Sequence, residues 1–280
     1  MTSARGTLKI SRRGQKGSIL LVAFDRPRVK NAVNDDVYED LIEILHESAS
    51  DDSISALVLT GTGPYFSSGA DLKANNFHPK EGTNNNSLHK PLGRFISKLI
   101  DYPKILAAAV NGPAVGIGTT LLLHCDLVYC STTATFWTPF SRIALVPELC
   151  SSVTFPSRMG LPKANEFFLL GKKIDAATAV DWNLCSRVVE NVDQSGDPFH
   201  PQSLANQMCD EIDERLLSLP LGEKTAETFV AMVRGRQRSY LHSVCRDELS
   251  QLAERVDSGQ VAEAASHLFK DRLATPRSKL

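Results

Sequence analysis

Two glycine segments and one acid carry the chemistry this chain can do. Asn111-Gly-Pro-Ala-Val-Gly-Ile-Gly-Thr-Thr120 follows an apolar run, Ile105 to Val110, that reads as a buried strand. Gly116 and Gly118 flank Ile117 where a helix is set to start. Glycine lets a backbone approach a ligand closely, and the first amides of a helix have no partner inside it. Backed by the helix dipole, those N–H groups suit a negatively charged oxygen. Read alone, the segment is equally an ordinary strand-to-helix turn. A second segment, Gly61-Thr-Gly-Pro-Tyr-Phe-Ser-Ser-Gly-Ala-Asp-Leu72, follows strand Ala56–Thr60 and is again built of small residues around Gly69. Each segment can offer one N–H to a single oxygen. The acid is Glu148, flanked by Val146, Pro147 and Leu149. Apolar neighbours disfavour a charged carboxylate, so its pKa is expected to rise from about 4.3 towards neutrality, where a group moves protons well. Its neighbours alone also fit a plain loop glutamate.

Phe66-Ser-Ser-Gly-Ala-Asp71, Asn111-Gly-Pro-Ala-Val-Gly116 and Cys125-Asp126, in this order and separation, resemble the crotonase, or enoyl-CoA hydratase/isomerase, superfamily. The resemblance begins near Leu8, is strongest from Phe24 to Leu184 and fades towards the C-terminus. It implies an α/β fold, a spiral of ββα units followed by a helical trimerisation region. It also implies an acyl-CoA thioester held with its carbonyl oxygen between the N–H groups of Ala70 and Ile117. Those amides would stabilise the enolate formed when a proton leaves the adjacent carbon, and losing one such donor costs on the order of 10²–10³ in rate. Ser67, Ser68, Gly69, Asp71, Leu72 and Gly116 are expected to meet substrate through their backbone. Arg28 and Lys30 match the region facing the nucleotide, where either can pair with phosphate or stay a solvated basic surface. Phe269 and Lys270 are weaker candidates for the adenine end. Phe136, Trp137 and Phe140 are candidates for the acyl pocket or plain core.

Hydratases of the superfamily use two glutamates, at positions that are Thr120 and Phe140 here. Neither side chain delivers protons as a carboxylate does. Thr138-Pro-Phe-Ser141, Pro147-Glu148 and Cys150-Ser-Ser152 instead resemble the Δ3,Δ2-enoyl-CoA isomerase branch, whose single catalytic glutamate falls on Glu148. The implied reaction moves the double bond of a 3-enoyl-CoA to the 2-trans position, with one carboxyl taking the proton from C2 and returning it to C4. That chemistry serves the β-oxidation of unsaturated acyl chains and needs no cofactor or metal beyond the CoA of the substrate. The alternatives are another crotonase reaction, such as hydration or thioester hydrolysis, and a non-catalytic acyl-CoA-binding module. His124 and Cys125 are expected to pack, and Asp126 to brace the turn into the next strand.

The elements that must position these residues alternate. Leu8–Ser11 and Ser18–Phe24 read as a hairpin, and Asn34 as the cap of a helix over Asp35–Ser48 with Val37, Leu41, Ile44 and Leu45 on one face. Lys73–Lys90, with Asn84-Asn-Asn86, reads as a long loop. Helix Pro91–Ile100, strand Lys104–Val110, helix Thr119–Leu123 and strand Leu127–Tyr129 follow, then helices Ala164–Leu170 and Ala176–Asn183 and strand Arg187–Glu190. Such alternation argues for right-handed βαβ packing. Residues 1–200 are expected to form the core and site, and 201–280 a helical region that joins subunits into a homotrimer or hexamer.

Composition excludes other classes. The 280 residues are 42% hydrophobic and 22% charged with a net charge of −1, so no clustered positive charge speaks for nucleic acid. No apolar run approaches the roughly 20 residues that cross a bilayer. Six cysteines lack disulfide or metal spacing. GxSxG, GxxxxGK[ST] and HExxH motifs are absent, and Gly61-Thr-Gly63 lacks the third glycine of a dinucleotide fingerprint. Met1–Arg13 is too poor in apolar residues for a secretory signal. Ser278-Lys279-Leu280 matches the tripeptide read by the peroxisomal import receptor, so a peroxisomal (or related organelle) matrix location is expected.

Overall fold

Continuous apolar runs build the centre of the molecule. The computed structural model describes residues 1–72, 88, 90–190, 195–200, 202–264 and 266. Most of the Lys73–Lys90 segment, Phe269, Lys270 and Ser278–Leu280 therefore lie outside the described residues. Strands β1 (Leu8–Arg13) and β2 (Ile19–Phe24) form an antiparallel hairpin. β2 then runs parallel to β3 (Ala56–Gly61), and β3 to β4 (Ile105–Val110). β3 and β4 are buried at every position, as befits parallel strands covered on both faces.

One face carries Val22, Leu57, Leu59 and Leu106 and packs on α1 (Asp35–Ser50) and α2 (Pro91–Asp101). The Asn34 side chain accepts the Val37 N–H at 3.2 Å and starts α1, a cap worth about 1 kcal/mol. Strands β5 (Ala114–Val115), β6 (Leu127–Ser131), β7 (Thr135–Trp137), β8 (Ile174–Asp175) and β9 (Arg187–Val189) complete two sheets. The six-stranded sheet has the order β1-β2-β3-β4-β6-β9, and the three-stranded sheet β5-β7-β8. Between them lie α3 (Ile117–Thr120), a 3-10 turn over Leu121–His124, α4 (Ser151–Met159), α5 (Leu161–Phe168) and α6 (Ala176–Asp181).

The described residues beyond 201 are helical, as expected: α7 (Leu204–Ile212), α8 (Gly222–Arg234) and α9 (Arg238–Asp257). Leu204, Met208 and Ile212 of α7, with Ala226 and Val230 of α8, cover the second face of the large sheet, over Ile19, Leu21, Val58 and Ala107. The helical region thus completes the core of its own chain, and α9 reaches back to α2 and α4.

Two differences from the sequence expectation bear on the site. Helix α3 opens at Ile117, two residues before Thr119, because Gly116 adopts φ 53°, ψ −121° and turns the chain directly into it. Helix α4 is not among the expected elements, and it contains Pro156, three serines and one threonine, residue types that disfavour a helix interior. Pro156 stands in its second half, and Ser151, Phe155 and Met159 still form a buried stripe.

Candidate active site

The two glycine segments are laced together before any ligand enters. The Ser67 N–H donates to Pro113 O at 3.2 Å and the Val115 N–H to Ser67 O at 2.9 Å, forming a parallel bridge between Ser67 and Ala114. A Cβ on Gly69, where φ is +87°, would lie 2.8 Å from Val115 O, and one on Gly118 would lie 2.9 Å from Ser67 Cβ. These glycines therefore serve the close approach of one segment to the other.

That lacing uses up most of the local amides. Ser68 N–H donates to Lys30 O, Gly69 N–H to Ser67 Oγ, Asp71 N–H to Val33 O and Gly116 N–H to Trp137 O. Val33 also donates to Gly69 O, so the Val33–Ala70 bridge turns the N–H of Ala70 away from its partner strand. Ile117 is the first residue of α3, where no carbonyl precedes it within the helix. Among the described residues the N–H groups of Ala70 and Ile117 enter no hydrogen bond, while those of Ser67, Ser68, Gly69, Asp71 and Gly116 are committed within the protein. Leu72 is half-buried at the end of the segment.

Arg28 and Lys30 stand exposed at the 3-10 turn beside the Gly61–Leu72 segment, with Lys30 Nζ 4.9 Å from the Tyr65 ring centroid. The turn is fixed by Asn31, a residue the sequence reading passed over, whose buried amide donates to Thr62 O and Tyr65 O at 2.9 and 2.7 Å. Arg26, also passed over, pairs with the Asp71 carboxylate at 3.2 Å. The Asp71 side chain is thereby tied to the protein as well.

Glu148 sits in the turn before α4. Burial first, and the nearby Glu248 charge second, lift its pKa from 4.5 to about 8. The turn is held on both sides. The buried His124 ring contacts Leu149 O at 2.8 Å through Nε2, and burial first keeps that imidazole neutral with a pKa of about 4. Helix α3 and its 3-10 extension, which open at Ile117, end on this histidine, roughly 11 Å along. On the other side the Glu248 carboxylate of α9 accepts the Cys150 N–H at 2.7 Å and the Ser152 N–H at 2.9 Å. Leu149 and Cys150 are both left-handed, at φ 53° and 58°, a strain of about 1 kcal/mol each that those bonds offset. Tyr38 approaches from α1, only four residues after the cap Asn34. Its buried phenol is raised well above its ordinary pKa by burial first and then by the charge of Glu148. Asp126 braces the turn as expected, accepting the Leu106 N–H at 2.9 Å and pairing with Arg234 at 3.2 Å.

His124, Tyr38 and Glu248 were not assigned to the site from sequence. Glu248 left one legible trace. It interrupts the buried stripe Leu241, Val244, Cys245, Leu249, Leu252 on α9, where a solvated glutamate has no place.

Residues 14–214 match the enoyl-CoA hydratase/isomerase family. The chain belongs to this family. Over 244 residues it is 38% identical to enoyl-CoA delta isomerase 2 of Rattus norvegicus, covering 86% of this chain and 58% of that protein. Over 252 residues it is 35% identical to the peroxisomal enoyl-CoA delta isomerase 3 of Mus musculus, covering 88% and 74%. A solved enoyl-CoA hydratase/isomerase from Pseudoalteromonas atlantica T6c superposes with a TM-score of 0.81 at 30% identity, covering 95% of this chain and 97% of that one. The chain thus has the crotonase fold, and it spans somewhat under two thirds of the length of the rat isomerase 2.

Neither of the two residues expected at the hydratase acid positions, Thr120 and Phe140, carries a carboxyl. Thr120 is buried with its hydroxyl turned back to Gly116 O at 3.5 Å, and Phe140 stacks on Phe168 with centroids 5.9 Å apart. Phe136 is fully buried in β7, and the Trp137 indole donates to Gly171 O at 2.8 Å.

Proposed function

We propose that the chain is a Δ3,Δ2-enoyl-CoA isomerase in which Glu148 is the single proton carrier. The observation that carries this reading is the pairing of one carboxyl of raised pKa with two uncommitted amides, while Thr120 and Phe140 stand where a hydratase would have its acids. The thioester oxygen would lie between the N–H groups of Ala70 and Ile117, which strengthen their hold as charge builds on it. Ionised Glu148 takes a proton from C2, and the electron pair spreads over the dienolate. The same carboxyl then delivers its proton to C4, and the double bond comes to rest between C2 and C3. Atoms and charge balance without water or a cofactor beyond the CoA carried by the substrate. The names of the isomerase 2 and isomerase 3 relatives support the same reading.

The test is to supply a 3-enoyl-CoA and a 2-enoyl-CoA separately. Isomerisation is expected at a rate at least 100-fold above hydration, since Thr120 and Phe140 supply no second acid–base group (typically worth 10²–10⁴) to activate water. Hydration at a comparable rate contradicts the assignment.

Location and assembly belong to this proposal. A peroxisomal destination is supported by Ser278-Lys279-Leu280 and by the name of the mouse relative. Loss of organelle import on removing the three residues tests it, and unchanged import rejects it. Assembly into a homotrimer is supported by Phe229, Met232 and Val233, which leave an apolar face of α8 about 60–70% exposed. Sedimentation of a monomer at micromolar concentration would reject that part.

A further inference from the structure

We propose that Glu248 is the positioning residue of the proton shuttle, a buried carboxylate on α9 that fixes the turn carrying Glu148 by taking the N–H groups of Cys150 and Ser152. The inference rests on Glu148 being the base, as read above.

The geometry is specific. Glu248 is 8% exposed and reaches 98 and 96 positions back along the chain to the N–H groups of Cys150 and Ser152, at 2.7 and 2.9 Å. A serine or aspartate at position 150 would cap α4 locally with no help from a distant helix. The chain instead has Cys150 there in a left-handed conformation, with no side-chain cap of its own. The consequence is that the residue after Glu148 is pinned through Leu149 O to His124, and the N–H groups of Cys150 and Ser152 through Glu248 to α9. A carboxyl that must reach both C2 and C4 needs the turn that carries it held in place.

The charge has a second consequence. Among the described residues Glu248 has no cationic partner, so its field falls on its neighbours unscreened. Burial raises the pKa of both carboxyl groups, and the two backbone N–H bonds that Glu248 accepts oppose that rise, so of two carboxyls that resist ionising together Glu248 is the better placed to hold charge. The proton is thereby left with Glu148, where Glu248 adds to the effect of burial. The other titratable groups facing this cluster are neutral at working pH. Burial raises the Cys150 and Cys245 thiols, His124 is uncharged, and Tyr38 is held protonated. Arg246 and Asp247 on α9, Lys98 on α2 and Arg158 on α4 are exposed, while Arg94 and Asp101 of α2 pair with Glu39 and His242.

The experiment is kcat and KM from pH 5 to 9.5 for the full chain, Glu248→Gln, Glu248→Asp and Glu148→Gln, each checked for folding by circular dichroism. Glu248→Gln is expected to keep KM within about twofold, to lose about tenfold in kcat, and to move the rising limb of kcat/KM down by about one pH unit, since glutamine carries no charge. Glu248→Asp keeps the charge and shortens the reach, so kcat falls while the limb stays. A limb that does not move in folded Glu248→Gln overturns the proposal whatever happens to kcat. Should that variant fail to fold, a wild-type kcat in Glu248→Asp overturns it instead, and a reduced kcat with an unmoved limb supports it. If Glu148→Gln turns over normally, the base assignment itself has failed. If it is inactive while the Glu248→Gln limb is unmoved, only the role of Glu248 falls.

Discussion

Replacing Glu148 by glutamine is expected to lower kcat for a 3-enoyl-CoA by about 10³-fold or more while changing KM only a few-fold. An amide of the same shape keeps the contacts of the turn but can neither take a proton from C2 nor give one to C4, and general acid–base groups contribute about 10²–10⁴. Among the described residues the surrounding groups offer no substitute. Tyr38 stays protonated because burial and the Glu148 charge raise its pKa. His124 is buried and bound to Leu149 O, and Glu248 is occupied by two N–H donors. Thr120 and Phe140 carry no acid. Steady-state rates of the purified variant decide the matter. A kcat within tenfold of wild type would remove Glu148 from the mechanism.

The same substitution is expected to stabilise the fold at alkaline pH. Burial raises Glu148 to about 8 in the folded chain against an ordinary value of 4.5. Between those two values the unfolded chain releases a proton that the folded chain retains, so rising pH favours unfolding. Stability associated with this group is therefore whole below pH 4.5, declines from there to pH 8, and is fully lost above it. Each pH unit is worth about 1.4 kcal/mol, and the remaining exposure of Glu148 reduces the total to roughly 2–3 kcal/mol. Glu148→Gln has no such proton to lose. Urea unfolding at pH 5 and pH 9 should show the variant gaining that margin over wild type at the higher pH only. An identical difference at both pH values would mean that Glu148 ionises as an ordinary surface carboxylate. Such a result would leave the shuttle without its tuned base. An enzyme that gives up stability to hold a proton near neutral pH is behaving as functional sites commonly do.

Much of this site could be read from the residues, because its parts are local. Asn34 caps the helix that the spacing of Val37, Leu41, Ile44 and Leu45 announces, and strands β3 and β4 follow from unbroken apolar runs. The apolar flanks of Glu148 foretold a raised pKa, and Asp126 braces its turn as its place before β6 implied. What could not be read depends on contacts between distant positions. Nothing near Gly69 tells that Val115 O will stand 2.8 Å from where its Cβ would be. Which amides of Ser67–Asp71 remain uncommitted follows from a bridge to Val33, not from the segment itself. The stripe on α7 announces an amphipathic helix, but not that its partner is the chain's own sheet. Glu248 is the extreme case, since its meaning lies in two N–H groups on the far side of the fold.

Transfer of label within a single substrate addresses the shuttle most directly. A 3-enoyl-CoA carrying deuterium on C2 is converted by the wild-type protein in ordinary water, and the product is taken at low conversion for mass and NMR analysis. If one shielded carboxyl carries the proton across the dienolate, deuterium appears on C4 of the 2-enoyl-CoA. If C4 carries only solvent hydrogen from the first turnover, a second donor or water completes the reaction, and Glu148 is not the single carrier.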